Sequence, residues 1–357
     1  MKTKTRTRIR RAGRSASVVL GLAAVVASAQ VKIPVQDPAA HDVRAAPGFK
    51  TRMLSDYLPG LAKTPGDSAV FILEGPIPGG TVFVAGGTHA NEIAGIMAAL
   101  LLVERAKVEK GRLIVVPYAN NSAITYRDPD RPGVAANFTL KTPSGERTFP
   151  IGARLTKPED QGEPDPPDAK APSPEYAAGN VSRNLDRQYP GRPEGNLTQR
   201  IAGAIVALLK KENADLAFDL HEAPPESRLA MMIVANPKNS DLAAEAVLDL
   251  EARGLTMRLE ESSITFRGLS HREWGDATPA KAFLFETPNP GSRRESPGDP
   301  VTDREWPLAK RVGVHLEALR SVVEAYNAGA PEPGRVKITN LPAAADLLKT
   351  GLGPYLR

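Results

Sequence analysis

The chain has 357 residues, 41% hydrophobic and 24% charged, which suits one large domain or two modest ones and excludes a disordered or fibrous chain. It has no cysteine, so disulfides and thiolate ligands are excluded, and a bound metal must use His, Asp or Glu. The formal net charge is +5, but that charge is not evenly spread.

Residues 1–14 carry Lys2, Lys4, Arg6, Arg8, Arg10, Arg11 and Arg14 with no acid, followed by the apolar run Val18 to Val26 and then Ala27-Ser28-Ala29. A basic head, a short apolar middle and small residues at the cleavage position predict a secretory signal peptide over 1–29, and therefore a periplasmic or secreted protein. The run is short for a membrane span, so a retained anchor is the lesser alternative. Arg10-Arg11 also fits a twin-arginine signal. Removing the seven basic residues of this segment takes the net charge from +5 to −2. The charge therefore belongs to the leader and does not argue for nucleic-acid binding.

Residues 30–67 read as an N-terminal arm on the domain surface, with His41 an ordinary surface histidine. Ser68–Glu74 and Thr81–Ala85 read as strands joined through GPIPGG, a connector that suits an antiparallel hairpin. The stretch TVFVAGGTHANEIAG, Thr81–Gly95, passes from a buried strand through two glycines into an apolar helix running to about Lys110. Another strand, RLIVVP from Arg112, would complete a right-handed βαβ unit. His89 and Glu92 therefore sit where strand gives way to helix, the place at which open α/β sheets bind ligands. An imidazole and a carboxylate three residues apart can converge on one cation, or can simply cap the helix.

From Asn120 to Gly195 the chain is long, polar and rich in proline, and no regular structure is expected there. A proline-rich insertion is placed at about 127–180. It ends at Arg183-Asn184-Leu185-Asp186-Arg187-Gln188-Tyr189-Pro190-Gly191. Arginine presents a planar fork suited to carboxylates, so this cluster beside a metal would read a free carboxylate on the substrate; without a metal it is a surface salt-bridge group.

Leu197–Lys211 is an amphipathic helix. Asp215–Asp219 is a buried strand leading into His221 and Glu222, with Asp219 on the same face as His221, where it can orient the imidazole or cap the next turn. Leu229–Ala235 is a strand and Ser240–Arg253 a helix. Lys281–Phe285 is the last core strand and delivers Glu286 to its end, where a carboxylate in apolar surroundings suits a general base near an activated water. His271 and Trp274 precede it and are placed near the pocket. Asp303–Ala328 is a long helix on which His315 reads as a helix-face residue, and 329–357 is a short mixed tail.

Four segments now agree in order: GGTHANE at 86–92, NLDRQYPG at 184–191, DLHEA at 219–223 and FETP at 285–288. Over about residues 68–325 the chain resembles the succinylglutamate desuccinylase/aspartoacylase family of the zinc carboxypeptidase superfamily. The resemblance implies one Zn²⁺ held by His89, Glu92 and His221. It also implies Arg187 on the substrate carboxylate, with Arg183 and Asp186 beside it, and Glu286 as the base. The family usually has Asn where this chain has Asp186, and Arg183 and Arg127 are the candidates for the arginine that polarises the scissile carbonyl. The short, mostly helical stretch after Glu286 is more like a single-domain carboxypeptidase than a desuccinylase with its β-rich C-terminal domain.

The expected fold is α/β: a single hydrolase domain over 68–328 with a twisted mixed sheet of about eight strands, helices on both faces, and the site at the strand carboxyl ends. The expected function is hydrolysis of an amide next to a free carboxylate in a small molecule or short peptide. The alternatives are a metallocarboxypeptidase or cell-wall peptide amidase and, from another class, a non-catalytic binding module on the same fold. Neither nucleic acid nor a lasting membrane span is expected.

Overall fold

A computed structural model describes residues 42–127, 134–161, 179–293 and 295–357. The predicted signal peptide, His41 and, within the proline-rich stretch, residues 128–133 and 162–178 lie outside the described residues. Among those described, no helix is long and apolar enough to cross a membrane.

The core is one mixed sheet of nine strands: β1 (Lys50–Met53), β2 (Ala69–Glu74), β3 (Ile77–Gly86), β4 (Lys107–Val116), β7 (Leu216–Ala223), β8 (Met232–Ala235), β9 (Arg258–Glu261), β10 (Lys281–Pro288) and β11 (Lys337–Thr339). Their order is β1-β2-β4-β3-β7-β10-β8-β9, with β11 paired to β4. The central strands β4, β3, β7 and β10 are parallel to one another. Being buried on both faces, they are near-continuous in Val, Ile, Leu, Phe and Ala rather than alternating.

Helices cover both faces. Phe71, Val82, Val84, Phe218, Phe283 and Phe285 point to one face, under α1 (Ile93–Arg105), α3 (Ser240–Ala252) and α5 (Leu308–Gly329). Ile72, Phe83, Ala85, Ile114, Ala217 and Ala282 point to the other, under α2 (Leu197–Lys211) and α4 (Ser270–Ala277). The period-2 alternation of the pleat sends neighbouring residues to opposite cores. The start of α2 fits its sequence: the Asn196 side chain accepts from Gln199 N, and the Gln199 side chain returns a bond to Asn196 N, a capping box that satisfies otherwise unpaired donors.

Several expectations need correction. The βαβ unit β3-α1-β4 is present, but β2 and β3 are not a hairpin, because β4 lies between them and pairs antiparallel with β2. The helix after Glu92 stops at Arg105, and β4 starts at Lys107 rather than Arg112. Strand β7 runs to Ala223 and β10 to Pro288, so His221, Glu222 and Glu286 stand within strands. Within 120–195, where nothing regular was expected, β5 (Asn137–Thr142) and β6 (Gly145–Pro150) form a hairpin clamped by stacked Phe138 and Phe149, with ring centroids 5.5 Å apart. Lys50–Met53, in the stretch read as an arm, forms the edge strand β1, and the C-terminal stretch supplies β11 and the helix α6 (Ala344–Thr350).

Candidate metal centre and active site

The sheet brings the sequence-predicted residues together through the adjacency of β3, β7 and β10. At the end of β3 the backbone turns through Gly86 and Gly87, the latter at φ +70°, a conformation that favours glycine. A Cβ on Gly86 would lie 2.7 Å from the carbonyl oxygen of Gly95. That close approach sets α1 against the strand end, with His89 and Glu92 just ahead of its first turn. From β7 come Asp219, His221 and Glu222, and on the parallel neighbour β10 Glu286 is in register with His221.

Glu92 is the hub. Its Oε1 lies 2.8 Å from His89 Nδ1 and its Oε2 lies 3.0 Å from His221 Nδ1, while the two imidazoles meet edge to face at 4.7 Å. Each ring is oriented from behind: His89 Nε2 is 2.8 Å from Asn184 Oδ1, and His221 Nε2 is 2.9 Å from Asp219 Oδ2. The second contact lacks hydrogen-bond alignment, and both of its atoms are buried without a partner. Asp219 is in turn held by Thr88 Oγ1 at 2.8 Å, and Glu92 Oε2 by the Glu222 N–H at 2.9 Å. All three prospective ligands are buried, at 1–2% exposure.

The electrostatics match a cation site. Burial pulls His89 down, helped by the positive charge of Arg154. Burial also opposes charge on Glu92, but the two imidazoles override it and hold the carboxylate well below its usual range. His221 resists burial because Asp219 and Glu92 face it, and its affinity for a proton is raised well above that of a free imidazole. The His221 proton and Arg154, whose Nη1 reaches Glu92 Oε1 at 2.7 Å, thus gather positive charge around the Glu92 carboxylate. The ligand atoms lie within 4.8 Å of one another, and two nitrogens with a carboxylate suit zinc or a neighbouring divalent ion. Burial, and then repulsion by Glu92, push Glu286 up to about 8, and its Oε2 is unpartnered. A divalent cation beside it would draw that value down.

Arg187 and Glu286 line one cavity of about 280 Å³ together with His221, Asp186, Arg154 and His271. Arg187 Nη1 donates to its neighbour's carbonyl, Asp186 O, at 2.6 Å and lies 3.3 Å from the Asp186 carboxylate, whose other oxygen accepts the Ser270 N–H at 2.8 Å. Burial raises Asp186, but His221 and Arg187 outweigh it and hold the carboxyl ionised below its usual range. Arg183 donates to Thr156 O at 3.0 Å, and Arg127 is exposed; neither lines the cavity. Arg154, a position without a motif around it, does.

Two further placements differ from expectation. Trp274 does not line the cavity; it is fully buried between Phe83 and Tyr189 in the core beneath α2 and α4. His315 is not an exposed helix-face residue. It is buried, with Nε2 3.1 Å from Thr287 Oγ1, beside an Arg311–Glu222 ion pair that sequence reasoning missed. Asn184, the partner of His89, stood in the quoted NLDRQYPG segment without an assigned role; only its distance to the imidazole reveals one.

No protein-family model matches the chain. A curated relative, N-alpha-acetyl-L-2,4-diaminobutyric acid deacetylase of Halomonas elongata, is 29% identical over 150 residues, which is 42% of this chain and 29% of the relative. Among solved structures, a succinylglutamate desuccinylase from Silicibacter is 18% identical, with 72% of this chain and 60% of that one covered and a TM-score of 0.44. A metallo-carboxypeptidase from Burkholderia cenocepacia is 11% identical, with 81% and 67% covered and a TM-score of 0.49. This chain spans under a third of the deacetylase and about three fifths of the desuccinylase. Its resemblances are thus to hydrolases of two kinds, deacylases of the succinylglutamate desuccinylase/aspartoacylase family and metallocarboxypeptidases.

Proposed function

We propose that the protein is an exported, zinc-dependent hydrolase that cleaves an amide bond adjacent to a free carboxylate. The observation that carries this reading is the cross-strand register of Glu286 and His221, which sets an unpartnered carboxyl beside the His89-Glu92-His221 group in a cavity that also holds Arg187. Zinc held by these three residues would supply Lewis acidity, lowering the pKa of water to about 7 and polarising a carbonyl.

The remaining roles belong to the chain's own groups. Arg187 pairs with the substrate carboxylate and so fixes which amide lies at Glu286. The Glu286 carboxylate accepts a proton from the attacking water as its oxygen bonds to the carbonyl carbon, then returns that proton to the departing nitrogen as the C–N bond breaks. Arg154, a guanidinium facing the cavity beside Glu92, stabilises negative charge gathering on the carbonyl oxygen. Asn184 and Asp219 keep the two imidazoles aimed at Glu92.

A deacylase of N-acyl amino acids and a carboxypeptidase or cell-wall peptide amidase both fit this geometry, and the signal-like residues 1–29 favour the second. Zinc content and turnover of N-acyl amino acids and short peptides, measured on wild type and Glu286→Gln, test the reading. Zinc retained in both with turnover lost only in the variant supports it; unchanged turnover removes Glu286 from the mechanism. Export is tested by N-terminal sequencing of the secreted or periplasmic fraction, where a chain beginning at Gln30 is expected.

A further inference from the structure

The cavity has a second wall that the reaction just described does not use. Leu229, Val234, Phe266, Leu269 and Leu284 form it. Val234 and Leu284 are cross-strand neighbours on β8 and β10, 4% and 3% exposed, and with Met232 they make a small apolar cluster separate from the two cores beneath the helices. Leu284 and Glu286 are two residues apart on β10 and so stand on one face of the sheet. The apolar wall is therefore continuous with the proposed base.

Charges around this wall are already engaged with one another. Arg228 Nη1 is 3.0 Å from Glu260 Oε2 at the rim, and Asp186 is held by Ser270 N–H and Arg187. No unengaged acid is left among the described lining residues to receive a substrate ammonium, apart from Glu286 itself. His271, 2% exposed, adds a buried Nδ1 with no partner, and burial keeps its imidazole neutral by pulling it down to about 4. At about 280 Å³ the space lies at the small end of ligand pockets, roughly 300–1,000 Å³, and suits one amino-acid residue rather than a long chain.

Resting on the amide-hydrolase reading above, we propose that the residue bearing the substrate carboxylate has an apolar side chain of about leucine or phenylalanine size, seated against Leu229, Val234, Phe266, Leu269 and Leu284. With the carboxylate at Arg187 and the amide at Glu286, this wall is where the adjoining side chain is buried. An ammonium-bearing side chain would lose hydration there with no unengaged acid but Glu286 to meet it, and an acidic one would have to compete with Glu260 for Arg228 at the exposed rim.

The test uses the zinc-loaded full chain with N-acetyl derivatives of leucine, phenylalanine, glutamate and 2,4-diaminobutyrate, reading kcat/KM, together with equilibrium binding of the same compounds to Glu286→Gln as a measure independent of turnover. Leucine and phenylalanine compounds should exceed the charged ones by tenfold or more in both readouts, the ratio expected from burying one such side chain. Leu229→Lys, at a half-buried loop position, should erase that margin; Phe266→Ser replaces it if the first variant does not fold. Equal or better use of the glutamate or diaminobutyrate compound overturns the inference and leaves the amide-hydrolase reading standing. Arg187→Met should weaken all four compounds alike; undiminished binding and turnover of all four in that variant overturns the assigned carboxylate contact instead, and failure of all four to bind or turn over in the wild type removes both.

Discussion

Arg311→Met is expected to be among the most destabilising single changes outside the ligand set. Arg311 and Glu222 are both fully buried and paired through Nη1 and Oε1. Arg311 Nε also donates to Trp306 O at 3.0 Å, and its Nη2 to Pro300 O. Glu222 accepts from Ala94 N at 2.9 Å and from Asn289 Nδ2 at 3.2 Å. Removing the guanidinium leaves a carboxylate without its counter-charge in the interior, a loss of about 3–5 kcal/mol, and orphans two carbonyls at about 1 kcal/mol each. The total is about 5–7 kcal/mol, a large share of a domain's stability. Adding Glu222→Gln removes the stranded charge while keeping an acceptor for Ala94 N, so the double variant should recover about 2 kcal/mol. The consequence reaches the site, because the Glu222 N–H holds Glu92 Oε2; zinc affinity in Arg311→Met should fall about 10–100-fold, as for other losses of ligand-orienting contacts. Urea unfolding of the metal-free proteins and competitive zinc titration measure both effects. A cost under about 1 kcal/mol, or a double variant no better than Arg311→Met alone, would refute the account of this pair.

Three more expectations follow from the same geometry. In the metal-free protein Glu286 binds its proton more tightly folded, near pH 8, than unfolded, near 4.5. Its stabilising contribution is therefore complete below pH 4.5 and is lost as pH rises through 8. At about 1.4 kcal/mol per pH unit the loss is at most about 5 kcal/mol; Glu286→Gln should flatten that decline, and parallel stability–pH curves for the two proteins would refute the shift. Zinc should raise the melting temperature of wild type but hardly that of His89→Ala/His221→Ala, since ligand at 1,000 times Kd adds about 4 kcal/mol; calorimetry with and without a chelator reads this, and equal shifts would exclude the proposed ligands. Gly95→Ala should destabilise by about 1–3 kcal/mol or more through overpacking, because its Cβ would lie 2.3 Å from the Leu220 carbonyl oxygen on β7; thermal unfolding within error of wild type would show that α1 can shift to accommodate it.

What could be read in the sequence was whatever local chemistry dictates. VFVAGG followed by an apolar helix, DLAFDLHEA and FLFETP each declare a buried strand that delivers a polar residue at its end, so His89, Glu92, His221 and Glu286 stood out before any pairing was known. The pairing itself was not legible. Turn composition between β2 and β3 suggests a hairpin, yet β4 forms the better neighbour to both because the crossover through α1 returns it between them. Arg154 sits after the β5–β6 hairpin with no periodic or motif context, and only its 2.7 Å approach to Glu92 marks it.

Arg311 and His315 show why burial of charge is hard to foresee. In an isolated helix, residues four apart share a face, and a face bearing Arg and His reads as solvated. Here β11 and α6 come from a stretch that looked like a plain tail, and Ala344 packs against Gly313 so closely that a Cβ there would lie 2.9 Å away. That covers the side of α5 turned away from the sheet, while the side turned toward it meets Glu222 and Thr287 on β7 and β10. A helix buried on two sides must neutralise whatever charge it carries, so the Arg311 cation requires an anion, and Glu222 supplies it one residue from the proposed ligand His221. The ion pair that stabilises the back of the sheet therefore also fixes the geometry at its front.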